Sequence, residues 1–295
     1  MQEKTLQDQT DPGFFIYVFL KLFGICQYLS FNFFILFLQR IYFEGTAGEN
    51  MFGLGEIFYK IAGLSSQNPY GDTRYDRVLK KSEQLTWLPW IGHKFVNSKH
   101  RVLIVAESHY AKGTSDDEVA KDIERIKNNA DYSRACVYES QICNDWNTNM
   151  FRNLNLALLG GKQPAENISK MWQKLAYFNV VQRPMYTRGE RPCEEDFKKG
   201  YFAFHDVVKA IQPTRIVFVG VSAAKYFDNT MGLLKCRYTP IVQLPEGQGA
   251  WARESSIDGI PIYFIRHSSE CFSWNFWHDF LKNHCSAEME FLKNF

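Results

Sequence analysis

The apolar positions fall into two rhythms along this chain. Short continuous runs bounded by polar residues predict buried strands, and runs at helical spacing predict the helices between them. The clearest run is Arg101-Val102-Leu103-Ile104-Val105-Ala106-Glu107-Ser108-His109-Tyr110, in which five apolar residues stop abruptly in polar or amphipathic ones. An unalternated run of this kind reads as a strand covered on both faces, as parallel strands are. Further strands are read over Leu175–Gln182, Arg215–Gly220 and Pro261–Arg266, with an edge strand at Pro240–Leu244. Helices are predicted over Asp76–Leu85, Ser115–Asn128, Met150–Leu159, Cys193–Ile211, Ser222–Phe227 and Trp274–Glu290. Ser115 and Glu118 form a capping box with Asp116 and Asp117 in the first turn. Phe197, Tyr201, Phe204, Val208 and Ile211 make one apolar stripe. Strands alternating with helices predict an α/β chain: a three-layer αβα sandwich around a central, mainly parallel sheet.

Two regions precede the first strand. Met51 to Lys99 mixes apolar patches with turn signals such as Asn68-Pro69-Tyr70-Gly71-Asp72 and reads as a layer packed on the sheet, with Trp87 and Trp90 as anchors. Phe14 to Leu38 is almost continuously apolar and long enough to cross a bilayer as a helix. Lys21, Gln27 and Asn32 interrupt it, and a charge at mid-membrane is costly. The basic start and small-residue cleavage site of a secretory signal are missing. Three readings stay open: a membrane anchor, a hairpin-like core addition, or an extension that is not natively part of the protein. Composition becomes balanced at Met51, so residues 1–50 are set apart from an α/β domain over 51–295.

Composition narrows the picture. With 45% hydrophobic and 22% charged residues the chain is an ordinary core-forming protein, and a net charge of +2 confines any nucleic-acid surface to a local patch. The 7 cysteines are odd in number and show no C-x-x-C spacing, which argues against a disulfide framework, a zinc ribbon and a ferredoxin-type cluster. A reduced, cytoplasmic protein is expected, membrane-anchored only if Phe14–Leu38 inserts.

Candidate chemistry lies at strand ends. Glu107-Ser108-His109, Asn179 and His267-Ser268-Ser269 end or interrupt three strands, and parallel strands would bring all three to one edge. Each has a plain alternative: Glu107 as a helix cap, Asn179 as a paired core amide, His267 as a loop histidine. The loop with Arg183, Arg188 and Arg191 is the best candidate for a phosphate-binding patch.

In that order the motifs resemble the uracil-DNA glycosylase superfamily. Its members have a strand ending in a water-activating loop, G-Q-D-P-Y-H. A second strand carries a base-reading Asn, and a last strand leads into H-P-S-P-L-S. Here the counterparts are Ala106-Glu107-Ser108-His109-Tyr110, Phe178-Asn179-Val180 and His267-Ser268-Ser269-Glu270-Cys271-Phe272, within a span from Arg101 to Leu281. A strand ending in Val219-Gly220 before a small-residue helix start fits as well. The chain departs in having Glu107 where many members have Asp, in lacking both loop prolines, and in lacking the C-x-x-C of the iron–sulfur branches.

The resemblance implies a metal-independent, cofactor-free, monomeric DNA glycosylase that flips out a base and hydrolyses its N-glycosidic bond. Glu107 would stabilise the cationic sugar and orient the water, and His267 would donate to the base carbonyl as charge builds there. Asn179 would pair with the base edge, with His109 and Tyr110 lining the pocket. Ser108, Ser268, Ser269, Arg183 and Arg188 would contact DNA, and Phe272 would wedge into the duplex. Tyr110, Tyr132 and Phe151 are the candidates for stacking on the base. His109 stands where members strict for uracil hold a Tyr that excludes a 5-substituent. A modified pyrimidine is therefore expected: uracil or a hypermodified cytosine of phage DNA, in repair or anti-phage defence. The alternatives are a non-catalytic nucleic-acid-binding module of this fold and a hydrolase using Ser108 or Ser269. The latter is disfavoured because no G-x-S-x-G elbow is present.

Overall fold

A computed structural model describes residues 70–186, 189–245, 252–269 and 271–295. Phe14–Leu38, the composition boundary at Met51 and Arg188 lie outside the described residues. The five-residue apolar run forms strand β2 (Val102–Ala106), fully buried as its lack of alternation requires. Around it lie β1 (Trp90–Ile91), β3 (Ala176–Asn179), β4 (Arg215–Val219), β5 (Tyr238–Gln243), β6 (Arg253–Ile257) and β7 (Ile260–Ile265), in the spatial order β1-β3-β2-β4-β7-β6-β5. β3, β2, β4 and β7 are mutually parallel, while β1, β6 and β5 add antiparallel margins. The sheet is therefore mixed, with a parallel centre. The reversal from β6 to β7 is made by Asp258 and Gly259, both at positive φ (50° and 80°), the conformation that two-residue hairpin turns need.

Helices cover both faces. They are α1 (Asp76–Leu79), α2 (Asp116–Lys127), α3 (Tyr132–Val137, continued by a π-helical turn at Tyr138–Ile142), α4 (Asn149–Leu159), α5 (Ala165–Trp172), α6 (Glu194–Ile211), α7 (Ala224–Leu234), α8 (Trp274–His284) and α9 (Ser286–Lys293). Alternation along β2 divides the core. Leu103 and Val105 join Tyr201 and Phe204 of α6 and Phe227 of α7, whereas Val102, Ile104 and Ala106 join Leu154 of α4, Trp172 of α5, Trp277 of α8 and Leu292 of α9. Among the described residues no helix is long and apolar enough to cross a membrane.

Several boundaries moved. The helix read over Asp76–Leu85 shrinks to Asp76–Leu79, and the one read over Trp274–Glu290 breaks at Cys285, whose φ of −137° is not helical. The short helix at Ser222–Phe227 starts later and runs on to Leu234. The strand read over Leu175–Gln182 ends at Asn179, because Gln182 turns back: its Oε1 accepts from Thr86 and Trp87, and its Nε2 donates to the Asn179 carbonyl. Asn179 therefore stands at a strand end, not in mid-strand. Trp87 and Trp90 are core anchors, their indole N–H groups donating to the Ile126 and Trp172 carbonyls at 2.8 and 2.9 Å.

One glycine sets how closely α6 approaches β3. A Cβ on Gly200 would lie 2.0 Å from the Val180 carbonyl oxygen, so only glycine lets the helix backbone sit there. Gly200→Ala is expected to destabilise the fold by about 3 kcal/mol, since helix and strand must separate. Urea denaturation would read this as an earlier midpoint; an unchanged midpoint would mean that α6 slides freely along the sheet.

Candidate functional site

The chain leaves β2 for β3 on one side and later places β4 on the other, so the topological switch lies at the carboxyl end of β2. In open α/β sheets the ligand crevice forms outside such a point. Glu107 follows β2, Gly220 follows β4 and the His267 loop follows β7. Backbone bonds knit these ends together. Ala106 is in register with Asn179, Val181 N–H donates to the Glu107 carbonyl at 2.9 Å, and Gly220 N–H donates to the Ile265 carbonyl at 2.9 Å.

Gly220 is the junction. Its φ of +139° strains any residue with a side chain, and a Cβ there would lie 3.5 Å from Glu107 Oε2 and 3.6 Å from His267 Cδ2. The carboxylate and the imidazole thus flank one small space that a glycine keeps open. Glu107 is 8% exposed. Burial pushes its carboxyl above the ordinary range, and the Arg191 guanidinium opposes that shift.

The ring of His267 is oriented by its own loop. Ser269 N–H donates to Nδ1 at 3.2 Å, and the Ser269 hydroxyl lies 2.8 Å from the same nitrogen. A backbone N–H can only donate, so in the neutral ring Nδ1 is the acceptor and the proton sits on Nε2. Asn179 is 1% exposed, and among the described residues its Oδ1 has no hydrogen-bond partner, nor has the buried Ser108 Oγ. An unpaired buried acceptor costs about 1–3 kcal/mol, which a ligand can relieve on binding.

No family model and no curated protein matches this chain. The chemistry of the edge itself is then the guide, and it keeps some expected residues together while turning others away. Glu107, Asn179, His267, Ser269 and Ser108 share the edge. Ser268 is fully buried: its hydroxyl donates to the Met150 carbonyl, and its own carbonyl accepts from Asn153, so it ties the β7 loop to α4. Phe272 stacks on Trp277 at 6.0 Å and 17°, packed against α8. Arg183 is held by Asp196 through two bonds of 2.6 and 2.8 Å and by Glu190, which clamps its loop onto the start of α6. Tyr110 bridges to Met185 and packs on the α6 side of the core. Phe151 is enclosed by Trp172 and Tyr177. Among the described residues no group of three His, Cys, Asp or Glu is placed to hold a metal ion.

His109 faces α3. Its Nε2 lies 2.8 Å from Ser133 Oγ, and its ring meets Trp87 and Tyr132 edge-on, with centroids 5.0 and 4.8 Å apart. Burial lowers its pKa from 6.5 to about 3, so the ring stays neutral in the fold at physiological pH. The unfolded chain binds this proton near pH 6.5 and the folded chain does not. Stability therefore falls as pH drops from about 6.5 toward 3. Equilibrium unfolding between pH 7 and 4 should show that loss, blunted in His109→Gln; equal slopes in the two proteins would remove His109 as its source.

The sequence reading named Arg191 among its phosphate-binding candidates but missed the rest of the positive wall beside Glu107. A cleft of about 480 Å³ includes Glu107, Arg191, Lys225 and Arg253 in its lining. Lys225 and Arg253 come from α7 and β6 and carry no local motif that would single them out.

Proposed function

We propose that the chain is a DNA glycosylase of the uracil-DNA glycosylase type, releasing a base by hydrolysis of its N-glycosidic bond. The observation that carries this reading is the pair of Glu107 and His267 on either side of Gly220, at the sheet's switch point. Water adds to the sugar's anomeric carbon as the bond to the base breaks, and the base leaves with the bonding electrons. Glu107 stabilises the developing sugar cation and takes the proton from the attacking water; a carboxyl pKa raised by burial suits it to that task. His267 Nε2–H donates to the base carbonyl as negative charge builds there, a contribution worth the most in a dry site. Asn179 offers its unpaired Oδ1 to a donor on the base edge.

The base is a pyrimidine enlarged at position 5. His109 is smaller than the tyrosine of strict uracil enzymes, and its ring is already engaged with Ser133, Trp87 and Tyr132. The test is a base-release assay. The full chain is mixed with DNA containing uracil, 5-hydroxymethylcytosine or glucosylated 5-hydroxymethylcytosine, and freed bases are identified by mass spectrometry. Release of a substituted cytosine supports both reaction and substrate. Release of uracil alone keeps the reaction and removes the enlarged pocket, and DNA binding with no release from any of them would leave a non-catalytic binding module.

A further inference from the structure

We propose that the cleft between α6, α7 and β6 holds two successive phosphates of the substrate strand, with Arg191, Lys225 and Arg253 as their ligands. The ligand's being a strand rests on the glycosylase reading; the anion site itself does not.

The charge pattern is the first support. Among the described residues, Arg191, Lys225 and Arg253 form no ion pair, as is also true of Arg77, Arg101, Arg152 and Arg237; what sets the three apart is that they line one cleft. Three cations gathered around one cleft repel one another, and among the described residues the only carboxylate in its lining is Glu107. Over the described lining an excess of two positive charges remains, which matches two phosphodiesters at one negative charge each. Such concentrated positive potential attracts polyanions strongly.

The second support is where the cleft lies. Glu107 follows Val105, which faces α6 and α7, and Arg253 is in register with Phe264 of the same face. Asn179 follows Tyr177, which faces α4 and α5. Phosphates are therefore held on one side of Glu107 and the base edge is read on the other, with the carboxylate between them. The cleft is about 480 Å³, and it is lined by Phe197 and Tyr226, which stack on each other at 5.2 Å and 19°. Lys225 Nζ lies 5.1 Å from the centre of the Tyr226 ring. That pair gives the cations a firm backing.

The experiment uses the full chain and a fluorescein-labelled single-stranded oligonucleotide, with affinity measured across a series of salt concentrations in the Glu107→Gln background. Lys225→Gln and Arg253→Gln are each expected to weaken binding about fivefold and to reduce the slope of log K against log salt by about 0.7. The double variant should lose about 1.4 of slope with an unchanged melting temperature. Equal affinity and slope in the double variant would overturn the proposal. A strand with methylphosphonate linkages that binds like the native one, while inorganic phosphate or a nucleoside monophosphate displaces both, would reassign the cleft to free nucleotides and overturn the strand. The two readings fail separately. Weakened binding by the double variant, with no base released by the wild type, removes the glycosylase and keeps the cleft. Base release with an unchanged KM in a Lys225→Gln, Arg253→Gln protein that retains Glu107 removes the cleft and keeps the glycosylase.

Discussion

Glu107→Gln is expected to slow base release roughly 100- to 10,000-fold at pH 7, the range lost with a general acid or base, while leaving DNA affinity within a few-fold. It should also make the protein harder to melt. Burial raises the carboxyl pKa of Glu107, so the folded chain holds this proton more tightly than the unfolded one. Ionisation then subtracts stability as pH rises from the unfolded value, near 4.5, and the whole cost is present only above the folded one. Glutamine has the same shape and no charge to bury. Its advantage in melting temperature should grow as pH rises above 4.5 and vanish below it. In the wild type, base release should rise with pH to a plateau, with its midpoint above 4.5, because only the carboxylate can take the water's proton. A variant that loses activity and also melts earlier would show that Glu107 holds the fold together and does no chemistry.

The largest effect on stability is expected at Arg134. It is 1% exposed and grips three places at once: Asp76 through bonds of 2.6 and 3.0 Å, Asp131 at 3.1 Å and the Pro89 carbonyl at 2.9 Å. The fork joins α1, α3 and the approach to β1. Arg134→Ala should cost about 3–5 kcal/mol, the range for breaking a buried ion pair by removing one partner. Lysine cannot spread its donors over a plane, so Arg134→Lys should recover little of that loss. Chemical denaturation would check both. A loss under 1 kcal/mol for Arg134→Ala would mean that water replaces the guanidinium and that the fork is a surface contact. Because α3 also carries Ser133 and Tyr132, its loosening should raise the pH at which His109 begins to take up a proton.

Different parts of this molecule leave different traces in its sequence. β2 was legible because burial on both faces demands an unbroken apolar run, and Val102 to Ala106 supplies one. β6 was not. Its residues Arg-Glu-Ser-Ser-Ile are mostly polar because a strand near the margin buries only some positions, and its one local signal is the Asp258-Gly259 turn that follows. Asn179 stood out as an amide in an apolar run, which is how a buried, unpaired acceptor looks in one dimension. Arg183 looked like a phosphate ligand because its carboxylate partner Asp196 comes 13 residues later, on a helix whose first turn folds back over it. Arg191, Lys225 and Arg253 meet only when α6, α7 and β6 pack together, so no window of sequence contains them. The convergence of Glu107 and His267 was foreseeable once the strands were taken as parallel. The role of Gly220 between them was not, because its φ of +139° belongs to the backbone.

The central position of β2 also has a consequence in time. Both of its neighbours, β3 and β4, are made after it, and the hydrogen bond from Arg101 to Thr214 at the base of the β2–β4 pair spans 113 residues. At about 5–20 residues per second, a ribosome needs roughly 6–23 s to cross that interval. Until then five consecutive apolar residues with strong strand propensity have no lateral partner from β4. The segment that organises the finished site is thus open to wrong pairing during synthesis. The yield of folded protein is therefore exposed to how long β2 must wait as well as to how stable the completed sheet is.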